Sequence, residues 1–379
     1  MSMKPKILVT SAAGHVGSVA VVELLKRDYP VRAFVRTIDN RAKALKAAGA
    51  EIFAGDMRDY RDLERALDGV QRAFHNPPFS ANTVYDSTLF AVAAEQAKLE
   101  MITLMGAWNL SPTHPSIHQR GHWIAHNIYR WMPSVDVVHL APGLFSFPYF
   151  LGLPAIAHFG QFMAPFGDGK NAPPSNEDIA NVAVATLMEP SHHIGKSYRP
   201  TGPKLISPHD VASIFERILG RKVSYKDVPF KAFHKAAIAL RLPTEQVAHI
   251  RYYAEEVRNG VYAKSAPTDH VELVTGRPAE DFETTARRYI ANPSLVSPGF
   301  EIGSKASALA MLFRMITARP FDLGRWERDR GYPLLKEPTL AHQCDRWQAA
   351  ASKAEINILP QGEKDRTSSL HSKSIARQA

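Results

Sequence analysis

The chain has 379 residues, of which 45% are hydrophobic and 22% charged, which is ordinary for a globular protein of one large or two unequal domains. The formal net charge is +9, but lysines and arginines alternate with acidic residues and form no basic block, which argues against a nucleic-acid partner. Because there is no run of 18 apolar residues, no apolar signal core, and only one cysteine, Cys344, we expect a cytoplasmic protein without a membrane span.

The first 110 residues predict strands and helices in strict alternation. Five short apolar segments have the character of buried strands: KILVT, VRAFVR, EIFAGD, VQRAFHN and MITLMG. The first four are each followed by a segment with helical spacing. This alternation indicates an α/β fold with a doubly wound parallel sheet, whose ligand lies at the carboxyl ends of the strands.

The segment KILVTSAAGHVG, which joins the first strand to the first helix, predicts a site for the pyrophosphate of a dinucleotide. Ser11, Gly14 and Gly17 have the required spacing, with serine where glycine is usual, and Gly17 should let the helix pack closely. Serine there implies either φ below zero or a strain of about 1 to 3 kcal/mol. The free N–H groups of the helix start favour an anion. In this turn the expected cofactor contacts are Thr10, Ser11, Ala12, Ala13, Gly14, His15 and Val16.

The end of the second strand indicates which dinucleotide is bound. Arg36 stands where a carboxylate would accept the ribose 2′-hydroxyl of NAD, and Arg41 follows, whereas the first carboxylate is Asp39. A guanidinium can form two charge-assisted hydrogen bonds with a 2′-phosphate, so NADP(H) is favoured. The alternative is that Arg36 is an ordinary surface residue.

The ends of the third and fourth strands should contact the rest of the cofactor. Asp56 and Met57 are placed to bracket the adenine, by a hydrogen bond and an apolar face. The fourth strand ends in HNPPF, where the chain should pass the middle of the cofactor through Asn76, Pro77, Pro78 and Phe79.

Several segments together resemble the NmrA-like proteins, atypical members of the short-chain dehydrogenase/reductase superfamily. They include KILVTSAAGHVG, AGAEIFAGDMRD, LDGVQRAFHNPP, NEDIANVAVATLMEP, HVELVTGRPAEDFET, and VDVVHLAPGLF, in which Ala141 replaces an arginine. The resemblance extends over roughly residues 4 to 290 and implies a Rossmann domain, a smaller substrate-side domain and NADPH as ligand. The family contains quinone, dye and other carbonyl-type reductases, and also regulators that bind the dinucleotide without turning it over.

The catalytic residues of the superfamily are not found in this chain. Ordinary members use a Tyr-x-x-x-Lys pair with a serine, but no such pair follows the fifth strand, and Gly106 takes the serine position, where we expect it to contact the cofactor. In many relatives a lysine and a glutamate occupy the next helix, at positions that correspond here to His122 and His126. His122 is the candidate proton donor, and Arg120 is a second candidate to stabilise a developing oxyanion.

The histidines of THPSIHQRGHWIAHNIYRW recur every four residues, at positions 114, 118, 122 and 126. That spacing places side chains on one helix face, where they could bind a metal. We predict no metal, because Pro115 and Gly121 should interrupt the helix and no carboxylate or cysteine is adjacent. Simple packing of these histidines remains the alternative to a catalytic His122.

The later chain predicts a pocket wall and an extension. The segment GLFSFPYFLGLPAIAHFGQFMAPFGDGK should be a loop whose rings line a pocket for a flat or aromatic acceptor, although an ordinary core beneath a loop fits equally well. Ser207 should cap a helix that ends at Gly220. The predicted units are a Rossmann domain over 4–150 with 175–205 returning to it, an α+β substrate-side domain over 151–292, a helical extension over 293–360, and a disordered tail over 361–379. The extension's helices, in SKASALAMLFRMITA and TLAHQCDRWQAAASK, should pack on the parent domain, with a homodimer or partner contact as the alternative.

Two functions fit these observations. The first is an NADPH-dependent oxidoreductase that transfers hydride to a carbonyl or quinone-type small molecule. The second is a non-catalytic NADP(H)-binding redox sensor that acts through a protein partner. The phenylalanine-rich wall favours the enzyme, whereas the missing Tyr-x-x-x-Lys pair favours the sensor.

Overall fold

A seven-stranded, entirely parallel sheet forms the centre of the computed structural model, which describes residues 4–295 and 301–352. The strands are β1 (Ile7–Val9), β2 (Val31–Val35), β3 (Glu51–Ala54), β4 (Arg72–His75), β5 (Met101–Met105), β6 (Asp136–Leu140), β7 (Gln161–Ala164), β8 (Ser197–Tyr198) and β9 (Ser224–Asp227). The order in the sheet is β3-β2-β1-β4-β5-β6-β8, and β7 pairs with β9 separately. The prediction of a doubly wound parallel α/β sheet is therefore confirmed.

Helices cover both faces of the sheet because its strands are apolar on both sides. They are α1 (His15–Leu25), α2 (Asn40–Ala47), α3 (Tyr60–Leu67), α4 (Thr83–Gln96), α5 (Ile117–Arg130), α6 (Leu153–Phe159), α7 (Asn176–Met188), α8 (Pro208–Leu219), α9 (Phe230–Ala239), α10 (Thr244–Arg258), α11 (His270–Thr275), α12 (Phe282–Ala291), α13 (Lys305–Thr317), α14 (Leu323–Asp329) and α15 (Asp345–Ser352). Helices α1, α2 and α7 bury Ile7 and Val9 on one face, and α3, α4 and α5 bury Leu8 on the other.

A second core lies beside the carboxyl edge of the sheet. It is built from aromatic rings of the segment after β6 and of α8 and α12, among them Tyr149, Phe150, Phe162, Phe215 and Tyr289. The β7–β9 pair lies against this core. Helix α8 has the predicted cap at Ser207, reinforced by a reciprocal bond with Asp210, and it ends at Gly220 with φ of +62°.

The prediction of a phenylalanine-rich loop after β6 is wrong. The segment forms a 3₁₀ turn at Phe147–Phe150, then α6 and β7. Gly152 and Gly160 flank α6 with φ of +81° and +64°, so these glycines start and stop a short helix. Most of the rings belong to the second core, and Phe145 and Phe147 remain half-buried.

The expected interruption of α5 at Gly121 is also wrong. The helix begins after Pro115 with Ser116 as its cap and runs through Gly121 to Arg130. A Cβ on Gly121 would lie 3.0 Å from the Thr83 Cβ, so the glycine allows α4 and α5 to approach closely. His114 consequently lies outside the helix, whereas His118, His122 and His126 lie within it.

The C-terminal extension packs partly on the rest of the chain. The Trp347 indole N–H donates to the carbonyl of Trp108, which follows β5, at 3.2 Å, and the Thr339 N–H donates to the Thr113 carbonyl at 2.8 Å. Helix α13 buries Ala308 and Met311 but leaves Leu309, Phe313 and Ile316 exposed. The predicted tail over 361–379, and residues 353–360 of the predicted extension, lie outside the described residues. Within the described ranges, no helix is long and apolar enough to cross a bilayer.

Candidate functional site

The turn between β1 and α1 lies at the carboxyl edge of the sheet, where a doubly wound fold binds its ligand. Ser11 has φ of +48°, in the left-handed region, so the strained alternative of the two predicted conformations is the one adopted. Its carbonyl accepts the Gly14 N–H at 2.8 Å. A Cβ on Gly17 would lie 2.4 Å from the Ser11 carbonyl oxygen, so only glycine lets α1 start this close to the turn.

The residues of this turn fit an anion. Gly14 precedes α1 without any side-chain cap, and within the described residues the N–H groups of Ala13, His15 and Val16 donate to no other group. These unpaired donors and the helix dipole together favour a phosphate. Burial and the neighbouring Arg41 lower the pKa of His15, so its ring is neutral near pH 7.

Thr10 and Ala12 support the turn from inside the protein, since both are fully buried. The Thr10 hydroxyl accepts the Asn76 N–H at 2.9 Å and lies 3.3 Å from Nδ1 of His75, so it ties the end of β1 to the end of β4. Burial lowers the pKa of His75 to about 3, which leaves it neutral. Thr10 therefore shapes the turn rather than pointing out of it.

The carboxyl end of β2 presents an unpaired cation. Arg36 is exposed and forms no hydrogen bond or ion pair within the described part of the chain. Asp39 caps α2, accepts the Arg41 and Ala42 N–H groups at 2.9 and 3.1 Å, and pairs with the Arg41 guanidinium at 2.6 Å. That hydrogen bond from Arg41 lowers the pKa of Asp39. The carboxylate is thus committed to the cap, which leaves Arg36 available for a phosphate.

Arg58 fixes the turn after β3 through its backbone N–H and its side chain. Asp56 is exposed and accepts the Arg58 N–H at 2.9 Å, while Met57 is half-buried against α3 and α4. Arg58 reaches across to the fully buried carboxylate of Asp86 at 2.7 Å. Asp56 and Met57 are therefore fixed at the same edge of the sheet as Arg36.

Behind the end of β4, the half-buried Phe79 ring joins a cluster of buried histidine rings that sequence spacing did not predict. The Phe79 ring lies 4.1 Å from the His118 ring and 4.8 Å from the His249 ring, and His118 lies 4.4 Å from His122. His249 comes from α10, and its Nδ1 lies 2.6 Å from the Ser116 hydroxyl. Asn76, Pro77 and Pro78 precede this cluster in the chain. No pattern in the sequence connects α10 to this edge of the sheet.

The two candidate catalytic side chains are placed differently. Burial lowers the pKa of His122 to about 4, so its ring is neutral near pH 7 and cannot supply the proton of an imidazolium. The Arg120 guanidinium donates to the carbonyls of His114 and Pro115, at 2.6 and 3.0 Å, and to that of Pro333. Arg120 thus holds the extension against the start of α5.

Gly106 lies where the ends of β5 and β6 approach each other. Its N–H donates to the Leu140 carbonyl at 2.6 Å, and an added Cβ would lie 3.2 Å from that oxygen. Glycine is therefore the residue that fits this position without displacing the Leu140 carbonyl.

Comparisons with known proteins agree with this geometry. The model of the NmrA-like family matches residues 3–103. An NAD(P)H azoreductase of Xenophilus azovorans is 30% identical over 292 residues, which are 75% of this chain and 98% of the relative. An NADPH-dependent quinone oxidoreductase of Escherichia coli, solved with NADPH, has a TM-score of 0.66 at 22% identity and covers 75% of this chain and 99% of its own. A triphenylmethane reductase of Citrobacter sp. has a TM-score of 0.66 at 21% identity, with 75% and 98% covered.

Proposed function

Because the chain belongs to the NmrA-like family, we propose that it is an NADPH-dependent oxidoreductase that reduces a quinone-type or carbonyl small molecule. The observation that carries this proposal is the phosphate turn at Ser11–Val16 combined with the unpaired Arg36 at the end of the next strand. Together they offer donors for a pyrophosphate and a cation for a 2′-phosphate.

The residues that would hold NADP(H) follow from their places at the sheet edge. Ala13, His15 and Val16 offer backbone N–H groups to the pyrophosphate, and Arg36 offers its guanidinium to the 2′-phosphate. When bound, NADPH supplies the hydride. We place Asp56 and Met57 beside the adenine, and the other contacts that the sequence predicts include Asn76, Pro77, Pro78, Phe79 and Gly106.

The protein's own acid–base groups limit the choice of acceptor. The neutral His122 can donate a hydrogen bond from its ring N–H, but it holds no readily released proton at pH 7. A quinone can take its one remaining proton from water after hydride transfer, whereas a simple aldehyde gains more from a positioned acid. A flat quinone or dye is therefore the acceptor class that we favour, and the names of the azo, quinone and triphenylmethane reductases above support it.

The direct test follows NADPH oxidation at 340 nm against a panel of quinones, azo dyes and aldehydes. We expect turnover of quinones or dyes and little or none of simple aldehydes. His122→Gln should retain quinone turnover within about threefold, since a general acid would contribute about 10²- to 10⁴-fold. A loss of that size in the variant would make His122 the proton donor.

The second candidate is an NADP(H)-binding redox sensor. Two observations favour it: the neutral His122 ring holds no readily released proton, and α13 exposes Leu309, Phe313 and Ile316, which a protein partner could cover. Tight NADPH binding without turnover of any compound in the panel would support the sensor and contradict the reductase.

A further inference from the structure

We propose that Arg199 binds an anionic group of the acceptor, a carboxylate or sulfonate on a flat organic molecule. The inference rests on the proposed function for the identity of the ligand as an acceptor. The anion site itself rests on the surroundings of one side chain.

Arg199 lies at the edge of the sheet that binds ligands. It directly follows β8, which pairs in parallel with β6, so it lies at the same edge as the phosphate turn after β1. In the sheet order, β8 is four strands from β1, or about 19 Å at about 4.8 Å per strand. Arg199 is therefore too far from the turn to share its pyrophosphate.

The Arg199 side chain is a buried cation without a counter-ion. Its exposed fraction is 2%. Within the described residues, its Nε and Nη1 have no hydrogen-bond partner and no carboxylate forms an ion pair with it. Burial lowers the pKa of Arg199 to about 9, so the guanidinium is still charged near pH 7. Nearby His270 accepts the backbone N–H of Arg199 on its Nδ1 at 2.7 Å, so this ring is no partner of the guanidinium and carries no negative charge.

Two other buried arginines of the chain, by contrast, have partners within the protein for their guanidinium groups. Arg32, 8% exposed, pairs with Glu51 at 2.8 Å and donates to the carbonyls of Ala66 and Asp68. Arg120, also 8% exposed, donates to three carbonyls. Burying a guanidinium is unfavourable unless its charge and donors are matched. Within the described chain, Arg199 has neither a counter-ion nor acceptors for its Nε and Nη1 donors. This indicates that a ligand provides the negative charge and the acceptors.

Trp108 holds the guanidinium in place for such a ligand. The Cζ of Arg199 lies 3.3 Å from the centroid of the Trp108 ring, so one face of the cation is stacked. The Trp108 indole N–H donates to the Val261 carbonyl at 2.9 Å, and its own carbonyl accepts the Trp347 indole N–H. A planar guanidinium fixed in this way suits the two oxygens of a carboxylate or sulfonate.

Calorimetric titration of the full chain with naphthalene-2-sulfonate and with its neutral isostere, naphthalene-2-sulfonamide, tests the site without requiring turnover. We expect the sulfonate to bind at least tenfold more tightly. Arg199→Met should abolish that preference and leave NADPH affinity within twofold. Arg199→Lys, which keeps the charge but not the planar fork, should retain part of the preference.

Thermal unfolding without ligand separates a binding role from a structural one. Removing an unpaired buried charge should leave the melting temperature of Arg199→Met unchanged or raised, whereas the matched variant Arg32→Met, which loses a satisfied arginine, should melt at a lower temperature. A lowered melting temperature in Arg199→Met with an unchanged sulfonate preference would overturn the proposal. Inorganic sulfate that binds as tightly as the arene sulfonate would also overturn it, because the site would then select no organic acceptor. If the chain prefers the sulfonate but turns over no compound of the acceptor panel, the proposed reductase activity would be contradicted and the proposed anion site at Arg199 would be supported.

Discussion

At the scale of single residues, Ser11 adopts a conformation that glycine would adopt without strain. Its φ of +48° costs a residue with a Cβ about 1 to 2 kcal/mol. We expect Ser11→Gly to raise the free energy of unfolding by about 1 kcal/mol, measured by urea denaturation, with NADPH affinity kept or improved. Asp28→Gly, at an exposed position that also has positive φ, is the control for the release of strain away from the turn. A Ser11→Gly variant that lost NADPH affinity would show that the hydroxyl binds the phosphate.

The predicted preference for NADPH over NADH depends on Arg36. Charge-assisted hydrogen bonds contribute about 1.5 to 3 kcal/mol, so Arg36→Ala should weaken NADPH binding about 10- to 100-fold while NADH binding changes little. Arg36→Asp should reverse the preference. Titration of cofactor fluorescence measures both, and Arg217→Ala, at an exposed arginine of α8, is the control for a loss of surface charge. Equal weakening for the two cofactors would contradict the assignment.

The candidate site is predictable from the sequence only where chain neighbours build it. The turn at Ser11–Val16 and the position of Arg36 follow from a strand, a short spacing and a helix. The sequence cannot tell that the Arg120 guanidinium reaches the carbonyl of Pro333, or that Arg199 stacks on Trp108. Those contacts depend on tertiary packing, which overrides any local pattern.

At the scale of elements, α1 depends on its contact with the phosphate turn. In Gly17→Ala the new Cβ would meet the Ser11 carbonyl oxygen, so the helix start must move away from the turn. We expect a loss of about 1 to 3 kcal/mol in the free energy of unfolding and at least tenfold weaker NADPH binding. Ser18→Ala, one position along the same helix, should change neither by much. Unaltered cofactor binding in Gly17→Ala would show that the turn tolerates displacement.

The elements themselves were predictable to different degrees. The helices before residue 110 have apolar residues at regular helical spacing between apolar strands, and they form near the predicted places. The segment after β6 misleads because its glycines and prolines, typical of loops, here bound the short helix α6. Gly121 misleads in the same way, since it serves the close packing of α4 against α5.

At the scale of the whole molecule, an unusual number of histidines are buried without charge. Burial lowers the pKa of His75 and His249 to about 3 and that of His122 to about 4, and it lowers the pKa values of His118 and His139 well below 6.5. In the unfolded chain each of these rings takes up a proton near pH 6.5. Below that pH the unfolded chain therefore binds more protons than the folded chain.

The stability of the protein should for that reason fall steeply as the pH drops below 6.5. Each proton bound only by the unfolded chain changes the free energy of unfolding by about 1.4 kcal/mol per pH unit, so five histidines give a slope of up to about 7 kcal/mol per unit between pH 6 and pH 4. Since a typical domain has about 5 to 15 kcal/mol of stability, we expect unfolding before pH 4 is reached. Urea midpoints measured from pH 7.5 to 5 test this, with His122→Gln expected to reduce the slope by one proton. The exposed His192→Gln should leave the slope as it is, and a midpoint that stays constant down to pH 5 would mean that the buried rings gain protons without unfolding the chain.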